Sequence, residues 1–248
     1  MKESRHQKIL EVLDADGVVS VKDLKVLLDV TDMTIRRDLI ELEEAGLLTR
    51  VHGGAHRRNQ QSFQEASHTD KTSLMVEEKK LIAQKCAQLI QDGDTVFIGA
   101  GTTTGYIAQY LEGKAVSIVT NSLPIFETLK DQSKLDLILI GGRYRMKTQT
   151  FVGQFANKLL KDLKVSKAFI GVNGIDGHNV TTANEEEGNG NAIILHNANQ
   201  KYIVADHSKL NCYSFYTFFH LDDVDAIITD EGLPLELYEK YSRFTKLL

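Results

Sequence analysis

The first stretch of the chain alternates apolar and polar residues at helical spacing. Apolar residues between Lys2 and Asp14 fall on one helical face, and the turn-forming sequence DADG predicts that this first helix ends there. The stretch VVS that follows is long enough only for an edge strand. Ser20 and Asp23 have the spacing of a helix cap, which predicts a second helix through Leu28.

A third helix and a small β element follow. Thr31 or Asp32 can cap this helix, and Gly46 ends it. Its apolar residues recur at the spacing of one inward face: Ile35, Leu39, Leu42 and Ala45. LLTRV then predicts a strand, and HGGA predicts a tight turn or wing tip. Three short helices followed by a β element indicate a winged helix-turn-helix.

The stretch RRNQQSFQEASHTDKTS has almost no apolar periodicity and is typical of a linker. We therefore place a winged helix-turn-helix domain at residues 1–57, a linker at 58–75 and a larger domain at 76–248. The last of these contains short apolar strands separated by helical patterns. The predicted strands are TVFIGA, VSIVT, LDLILIGG, KAFIGV, KYIVAD and DAIITD. Such strands predict an α/β domain whose mostly parallel sheet is covered on both faces.

Composition narrows the functional classes. The chain has 248 residues, a formal net charge of -5 and 42% hydrophobic residues, which is ordinary for a globular protein. The N-terminus has charges throughout and no later run is apolar enough to span a bilayer, so we expect a cytoplasmic protein without membrane contact. Its acidity disfavours nucleic-acid binding by the whole surface. Any DNA contact must come from a local patch.

The third helix and the wing supply such a patch. The candidate DNA-binding residues are Thr31, Thr34, Arg36, Arg37, Arg50 and His52. In a helix-turn-helix the second helix of the motif enters the major groove, where an arginine can bond guanine or clamp a phosphate. The wing residues suit phosphate contacts better than base contacts. Alternatively, the paired arginines form only surface ion pairs, for instance Arg37 with Glu41 one turn later.

The loop GTTT joins a predicted strand to a helix in the second domain. Gly101, Thr102, Thr103 and Thr104 would place hydroxyls beside the free amides of a helix N-terminus, which suits a phosphate. A tight turn with threonine caps explains the same residues equally well. The loop lacks the glycine spacing of a dinucleotide site and the lysine of a Walker loop. We expect no cofactor, no metal site and no catalytic residues.

These segments together resemble one family. Residues 5–55, with TIRRDL followed by HGGA, are similar to the DNA-binding domain of the DeoR family of bacterial transcription regulators. The later segments GTTT, TNS, IGG, FIGVNGID, NEEE, ADHSK and IITD resemble the sensor domain of that family. The stretch from Asp32 to Ala55, with Ser67 and His68, is most similar to the lactose phosphotransferase-system repressors in that family.

The resemblance implies a sensor with a fold like that of ribose-5-phosphate isomerase and a phosphorylated sugar as effector. The candidate effector residues, besides the GTTT loop, are Asn121, Ser122, Gly142, Arg143, Asp206 and Lys209. All follow apolar strands and would meet at the carboxyl edge of the sheet, where ligands of open α/β folds bind. Lys209 or Arg143 could neutralise a phosphate, although a solvated lysine is the commoner outcome.

One segment departs from the family. After NEEE this chain has Gly188, Gly190 and Asn191, and each glycine costs a helix about 1 kcal/mol relative to Ala. Either the helix starts late, near Asn191, or effector coupling differs. The carboxylates of residues 185–187 could bond sugar hydroxyls, with a solvated acidic run as the default expectation.

Two functions account for both domains, whereas a third, a constitutive architectural DNA binder, would leave the large α/β domain unexplained. The first is a repressor that binds operator double-stranded DNA as a homo-oligomer, a dimer or tetramer, and responds to a phosphorylated sugar. The second is a sugar-phosphate isomerase with a DNA-binding appendage. Isomerisation needs a carboxylate base, and the matching segment NGIDGHN retains only Asp176 of the acidic residues that such isomerases carry. The sequence therefore favours a regulator over an enzyme.

Overall fold

The structure is a computed structural model that describes residues 2–16, 18–45, 47–51, 53–57 and 65–248. The chain divides into two compact units, Met1–Ser62 and Phe63–Leu248. The division falls inside the segment 58–75 expected to be a linker. Among the residues described, no helix combines the length and the apolar character that crossing a bilayer would require.

The first unit has the elements of a winged helix-turn-helix. They are α1 (Lys2–Asp16), β1 (Val18–Ser20), α2 (Val21–Leu28), α3 (Asp32–Glu44), β2 (Leu48–Val51) and β3 (Gly54–Arg57). The strands form an antiparallel sheet in the order β1-β3-β2, with β1 at an edge as predicted. The side chain of Ser20 accepts a bond from the Asp23 amide at 3.0 Å, and Thr31 accepts one from the Thr34 amide at 3.2 Å. Both predicted helix caps are confirmed.

The second unit alternates helices and strands. Its helices are α4 (His68–Thr72), α5 (Val76–Leu89), α6 (Thr102–Ile107), α7 (Leu123–Leu129), α8 (Gln154–Asp162), α9 (Glu185–Asn197) and α10 (Leu235–Tyr241). Its strands are β4 (Thr95–Ile98), β5 (Ser117–Thr120), β6 (Asp136–Leu139), β7 (Arg143–Arg145), β8 (Thr150–Val152), β9 (Val165–Gly171), β10 (Gly174–Asp176), β11 (Asn179–Thr182), β12 (Ala198–Val204), β13 (Tyr216–His220), β14 (Ala226–Ile228) and β15 (Lys246–Leu247). Single 3-10 turns lie at Ala108–Tyr110, His207–Lys209 and Leu221–Asp223.

One parallel sheet organises this unit. Its order is β15-β14-β12-β9-β4-β5-β6, and every pairing in it is parallel. Successive residues of β4 enter different cores: Phe97 is buried in one apolar cluster, while Val96 and Ile98 are buried in the other. The sheet is therefore covered on both faces, as its apolar strands predict. Because the strands are parallel, their carboxyl ends meet at one edge.

Two smaller sheets were not predicted from the sequence. β7 and β8 form an antiparallel hairpin, and β10, β11 and β13 form a three-stranded antiparallel sheet. The hairpin strand Arg143–Arg145 is short and polar, so it has no apolar run by which a strand can be recognised.

The described end of the expected linker is ordered against the second unit. Residue Ser67 caps α4 in a capping box with Asp70. The His68 amide donates to the Lys147 carbonyl at 2.8 Å, and α4 packs against α6. The polar composition of this segment gave no sign of a helix, because the stability of α4 comes from this cap and these contacts and not from an apolar stripe.

Helix α9 corrects the expectation of a late helix start. It begins at Glu185, where the side chain of Asn184 accepts bonds from the Glu186 and Glu187 amides at 3.0 and 3.2 Å. Gly188 is buried inside this helix because the Tyr216 ring of β13 occupies the space beside it. A Cβ on Gly188 would lie 2.6 Å from Tyr216 Cδ1. The helix tolerates its glycines because packing, and not local propensity, fixes it.

We expect G188A to lower the free energy of unfolding by about 1–3 kcal/mol, the usual cost of overpacking. G190A is the matched control, since its Cβ would meet its nearest neighbour, Asn157 Oδ1, at 3.4 Å. That variant should be neutral or stabilised by up to about 1 kcal/mol through helix propensity. Guanidinium denaturation of the full chain measures both, and equal effects of the two substitutions would contradict the packing argument.

Candidate nucleic-acid interface and effector site

Helix α3 has one buried and one exposed side. Ile35 and Leu39 are fully buried in the core of the first unit, as predicted, and Leu42 is buried as well. Ala45 was wrongly predicted to face inward: it is exposed, because α3 ends there. The opposite face carries Met33, which is 78% exposed, and both predicted arginines, which are exposed. The buried stripe thus fixes which side of the helix a DNA groove could meet.

Each helix arginine forms an ion pair one turn away and stays accessible. Arg36 Nε donates to Asp32 Oδ2 at 2.9 Å, and Arg37 Nε lies 3.5 Å from Glu41 Oε1. The side chain of Arg37 is 81% exposed despite this pair. Thus the surface ion pair considered from the sequence exists, but it leaves the guanidinium available to a ligand. Exposed pairs of this kind contribute only about 0.3–0.5 kcal/mol.

The wing arginine also has a carboxylate partner. Glu43 accepts the Arg50 amide at 2.9 Å and Arg50 Nε at 2.7 Å, which fixes the start of the wing against α3. Thr31 and Thr34 share a hydroxyl contact of 2.8 Å at the helix start. The candidate His52 lies outside the described residues.

Sequence reasoning missed a buried carboxylate in α3. Asp38 is buried, and its two oxygens accept bonds from Arg5 of α1, one of them from Nη2 at 2.8 Å. His6 Nε2 lies 3.1 Å from Oδ1 of the same carboxylate. Burial would raise the pKa of Asp38, but the bonds to Arg5 and His6 outweigh burial and lower it. An aspartate three residues after Ile35, on the apolar stripe, was the available signal.

The predicted effector residues all follow strands of the large sheet. The GTTT loop follows β4, Asn121 and Ser122 follow β5, Gly142 and Arg143 follow β6, and Asp206 and Lys209 follow β12. Since β4 is the point from which the chain order runs outward in both directions, the GTTT loop lies at the switch point of the sheet.

Several of these residues have structural partners. Thr104 is fully buried and donates its hydroxyl to the Gly101 carbonyl at 3.1 Å. Asn121 Oδ1 accepts the Ala100 amide at 3.2 Å, and Ser122 caps α7. These bonds fix the loops that surround the edge. Thr102, half-buried at the start of α6, is more accessible than the buried Thr103 and Thr104.

Other candidates also meet partners at this edge. Arg143 forms an ion pair with Glu186. A Cβ on Gly142 would lie 2.7 Å from the Val152 carbonyl oxygen, and the absence of a side chain at Gly142 therefore permits this close packing. Asp206 is buried and accepts the Ser208 amide at 3.1 Å. Lys209 is half-buried one 3-10 turn later.

His207 is the first residue of this 3-10 turn, and a carboxylate holds its ring. Its Nδ1 lies 2.6 Å from Asp230 Oδ2, and the Asp230 carboxylate also accepts the His207 amide. The bond to Asp230 raises the pKa of His207, while burial opposes it. The contacts with Asp230 therefore hold the ring in place.

Two lysines, Lys71 and Lys209, lie near enough to Lys79 for their charges to act on it. Lys79 of α5 is buried and donates from Nζ to the Lys71 carbonyl at 2.6 Å. Burial lowers the pKa of Lys79 to about 8; the charge of Asp206 opposes this, and those of Lys209 and Lys71 add to it. Burial also lowers the pKa of Lys71, against the pull of Glu65 and Glu187. We call Lys71, Lys79 and Lys209 the lysine cluster.

An arginine network borders this cluster. Arg145 of the β7–β8 hairpin binds both carboxylate oxygens of Glu65, one at 2.8 Å, and contacts Glu187 Oε1 at 3.1 Å. Burial raises the pKa of Glu187, although Thr148 and Arg145 counteract it. Glu187 is 15% exposed and pairs with Arg145, so the expectation of a solvated acidic run was wrong for this residue. Glu186 pairs with Arg143 but its side chain stays 41% exposed.

Comparison with known proteins decides the family. The model of the DeoR-like helix-turn-helix domain matches residues 5–61, and the model of the DeoR C terminal sensor domain matches residues 74–231. The chain belongs to the DeoR family. The resemblance inferred from TIRRDL and the later motifs is thereby confirmed, as is the predicted fold class.

The DeoR-family chain matches relatives along its length. It is 41% identical over 250 residues to the lactose phosphotransferase system repressor of Lactococcus lactis subsp. lactis, covering 100% of this chain and 98% of that one. It is 38% identical to the protein of the same name from Streptococcus mutans, covering 100% and 99%. Ribose 5 phosphate isomerase A of Neisseria gonorrhoeae shares 16% identity over 59% of this chain and 56% of its own, with a TM-score of 0.39. For eIF2B beta of Chaetomium thermophilum the identity is 13%, the coverage 68% and 54%, and the TM-score 0.46.

Two members of the lysine cluster were missed from the sequence. Lys71 lies in the segment interpreted as a linker. Lys79 lies on the buried stripe of α5, three and four residues before the fully buried Ile82 and Ala83. A lysine at such a position is rare unless it is paired. That break in the apolar pattern of α5 was the available signal for Lys79 in this DeoR-family sensor unit.

We expect D38N to destabilise the first unit by about 1.5–3 kcal/mol, because Arg5 loses a charged acceptor. The lowered pKa of Asp38 in the folded state means that the wild type is stabilised above the unfolded pKa and loses this stabilisation as pH falls through the folded pKa. Denaturation curves between pH 6 and pH 2 measure this. The variant should show a flatter pH dependence than the wild type, and parallel curves would contradict the assignment.

Proposed function

We propose that this DeoR-family chain is a DNA-binding transcriptional repressor of a sugar-utilisation operon and that a phosphorylated sugar controls its affinity for DNA. The full-length relatives named lactose phosphotransferase system repressor support the repressor role. The lysine cluster carries the effector assignment. It brings three cationic side chains to the carboxyl edge of a parallel sheet, where α/β proteins bind ligands.

Electrostatics favour a phosphate at this place. Burial is the main cause that lowers the pKa of Lys79, and the charges of Lys209 and Lys71 lower it further, so the lysine cluster holds like charges near one another. A phosphate dianion would neutralise that repulsion and supply acceptors to the ammonium groups. Helix α6, against which the Lys71 helix packs, adds the amides of its first turn. Because relatives are named for lactose uptake, we propose tagatose 6-phosphate as the first effector to test.

DNA binding is proposed for the exposed face of α3 and the wing. Arg36 and Arg37 lie on the side opposite the buried stripe, and Arg50 lies at the start of the wing. In a helix-turn-helix this face of the second motif helix enters the major groove. We propose that Thr31 and Thr34, near the helix start, add hydroxyl contacts and that the protein binds as a homo-oligomer, as such regulators do on palindromic sites.

The isomerase alternative has little support. Its retained carboxylate, Asp176, is exposed in β10 of the small antiparallel sheet, where it pairs in register with Asn179. We propose a regulator without catalytic activity. Proton NMR of sugar phosphates incubated with the protein tests this, and steady turnover would contradict it.

We expect R36A and R37A each to weaken binding to promoter DNA by about 5- to 150-fold, the range for loss of a base contact. Loss of a phosphate contact would weaken binding to all DNA sequences alike and would also reduce the salt dependence of binding. Fluorescence anisotropy on DNA from the protein's own promoter region measures both. K8A is the matched control, because Lys8 is an exposed cation of α1 that pairs with Glu11. Unchanged affinity of the R36A/R37A double variant would overturn the assignment of α3.

We expect K71M, K79M and K209M to keep DNA affinity and to weaken the response to the effective sugar phosphate by about 10- to 150-fold, since each removes a charged hydrogen bond. K80M is the control, because Lys80 neighbours Lys79 in sequence but pairs with Glu77 on the exposed side. Anisotropy titrations with sugar phosphates and unphosphorylated sugars measure the response. Wild-type behaviour of all three variants would place the effector elsewhere.

The pKa of Lys79, about 8, gives the site a pH dependence. Above that pH Lys79 is neutral in the ligand-free protein, so binding of a phosphate must take up a proton and effector affinity should fall as pH rises from about 8 to about 9.5. Calorimetry in two buffers of different ionisation enthalpy measures the uptake. K79M should abolish it.

A further inference from the structure

The arginines proposed to meet DNA share one arrangement. Arg36, Arg37 and Arg50 each direct Nε, and not the far end of the guanidinium, toward a carboxylate of α3. The pair of Arg36 with Asp32 is a hydrogen bond of 2.9 Å within the exposed face of the helix. Among the described residues, no hydrogen bond engages Nη1 or Nη2 of Arg36.

This geometry leaves a defined part of the guanidinium for a ligand. The group is a rigid plane, so a bond at Nε fixes the direction of the two Nη groups. Those two groups form the fork that can bond O6 and N7 of guanine in the major groove. An arginine without a partner at Nε would sample many orientations and lose more conformational entropy on binding. A partner at Nε therefore favours one direction of the fork before DNA arrives.

A carboxylate at Asp32 is otherwise unfavourable for a DNA-binding surface. It is the first residue of α3 and is exposed, where it would face the phosphates of a bound duplex. The helix does not need it as a cap, since Thr31 caps α3. The exposed pair and the charge of Asp32 at the helix N-terminus each stabilise the helix only modestly. Orientation of Arg36 would be a further gain that offsets the repulsion of DNA.

We propose that Asp32 is a positioning residue for base readout, which holds Arg36 so that its Nη fork bonds one guanine of the operator. The proposal rests on the proposed binding of DNA by α3. The proposed role separates Asp32 from Glu44, an exposed acidic residue at the other end of the same helix. In the described part of the chain, Glu44 forms no ion pair with an arginine.

The test compares D32A with E44A, which remove the same charge from the same helix. Sites are selected from a random DNA library with the wild-type protein, and each guanine of the selected site is then changed in turn to adenine. Anisotropy gives the affinity of each variant for the selected site, the changed sites and unrelated DNA. Circular dichroism and thermal melts of each variant check that the fold is retained.

We expect both variants to bind unrelated DNA a few-fold more tightly, because each lacks one negative charge. The wild type and E44A should discriminate guanine from adenine at one position by about 5- to 150-fold. D32A should lose at least half of that discrimination on a logarithmic scale, and R36A should lose all of it at the same position. Adding D32A to R36A should cause no further loss.

Two results would overturn the proposal. In the first, the D32A variant discriminates guanine from adenine as well as the E44A variant does. In the second, the R36A variant keeps the preference for guanine at every position. Failure of the proposed function has a different signature, because the wild-type protein would then select no site from the library.

Discussion

The parallel pairing of the large sheet is the constraint on which the second unit depends. Seven strands in the described part of this unit pair with the same polarity, and the apolar strands at its centre are covered on both faces. Polar residues therefore have little room within the strands and lie where the strands end. Residues distant in the chain, such as Thr102 and Lys209, follow strands that end at one edge for this reason.

A buried cation is the second determinant of that edge. Lys79 occupies a position on α5 where the helix otherwise buries apolar residues, and its Nζ donates to the Lys71 carbonyl. Desolvation of an ammonium group is unfavourable, so the folded unit accepts a cost at this residue that packing elsewhere must offset. Nearby carboxylates, Asp206 among them, reduce the cost without removing it. Sites of function commonly show such local destabilisation.

Much of the fold could be predicted, because periodicity identifies elements that bury apolar residues. The central strands and the three helices of the first unit are of this kind. Helix α4 and the β7–β8 hairpin could not be predicted, since a capping box and long-range ion pairs stabilise them. The same applies to the site. Residues after strands, such as Asp206, follow from topology, whereas Lys71 and Arg145 reach the edge through tertiary contacts that no local pattern records.

The contact between Gly188 and Tyr216 has a consequence for how this sequence can change over time. The ring of Tyr216 fills the volume that a side chain at position 188 would need, and its hydroxyl donates to Asn189 at 3.0 Å. A larger residue at 188 therefore costs less stability once the ring at 216 has been replaced by a smaller group. We expect the two positions to be epistatic, because the cost of a side chain at one depends on the volume of the other.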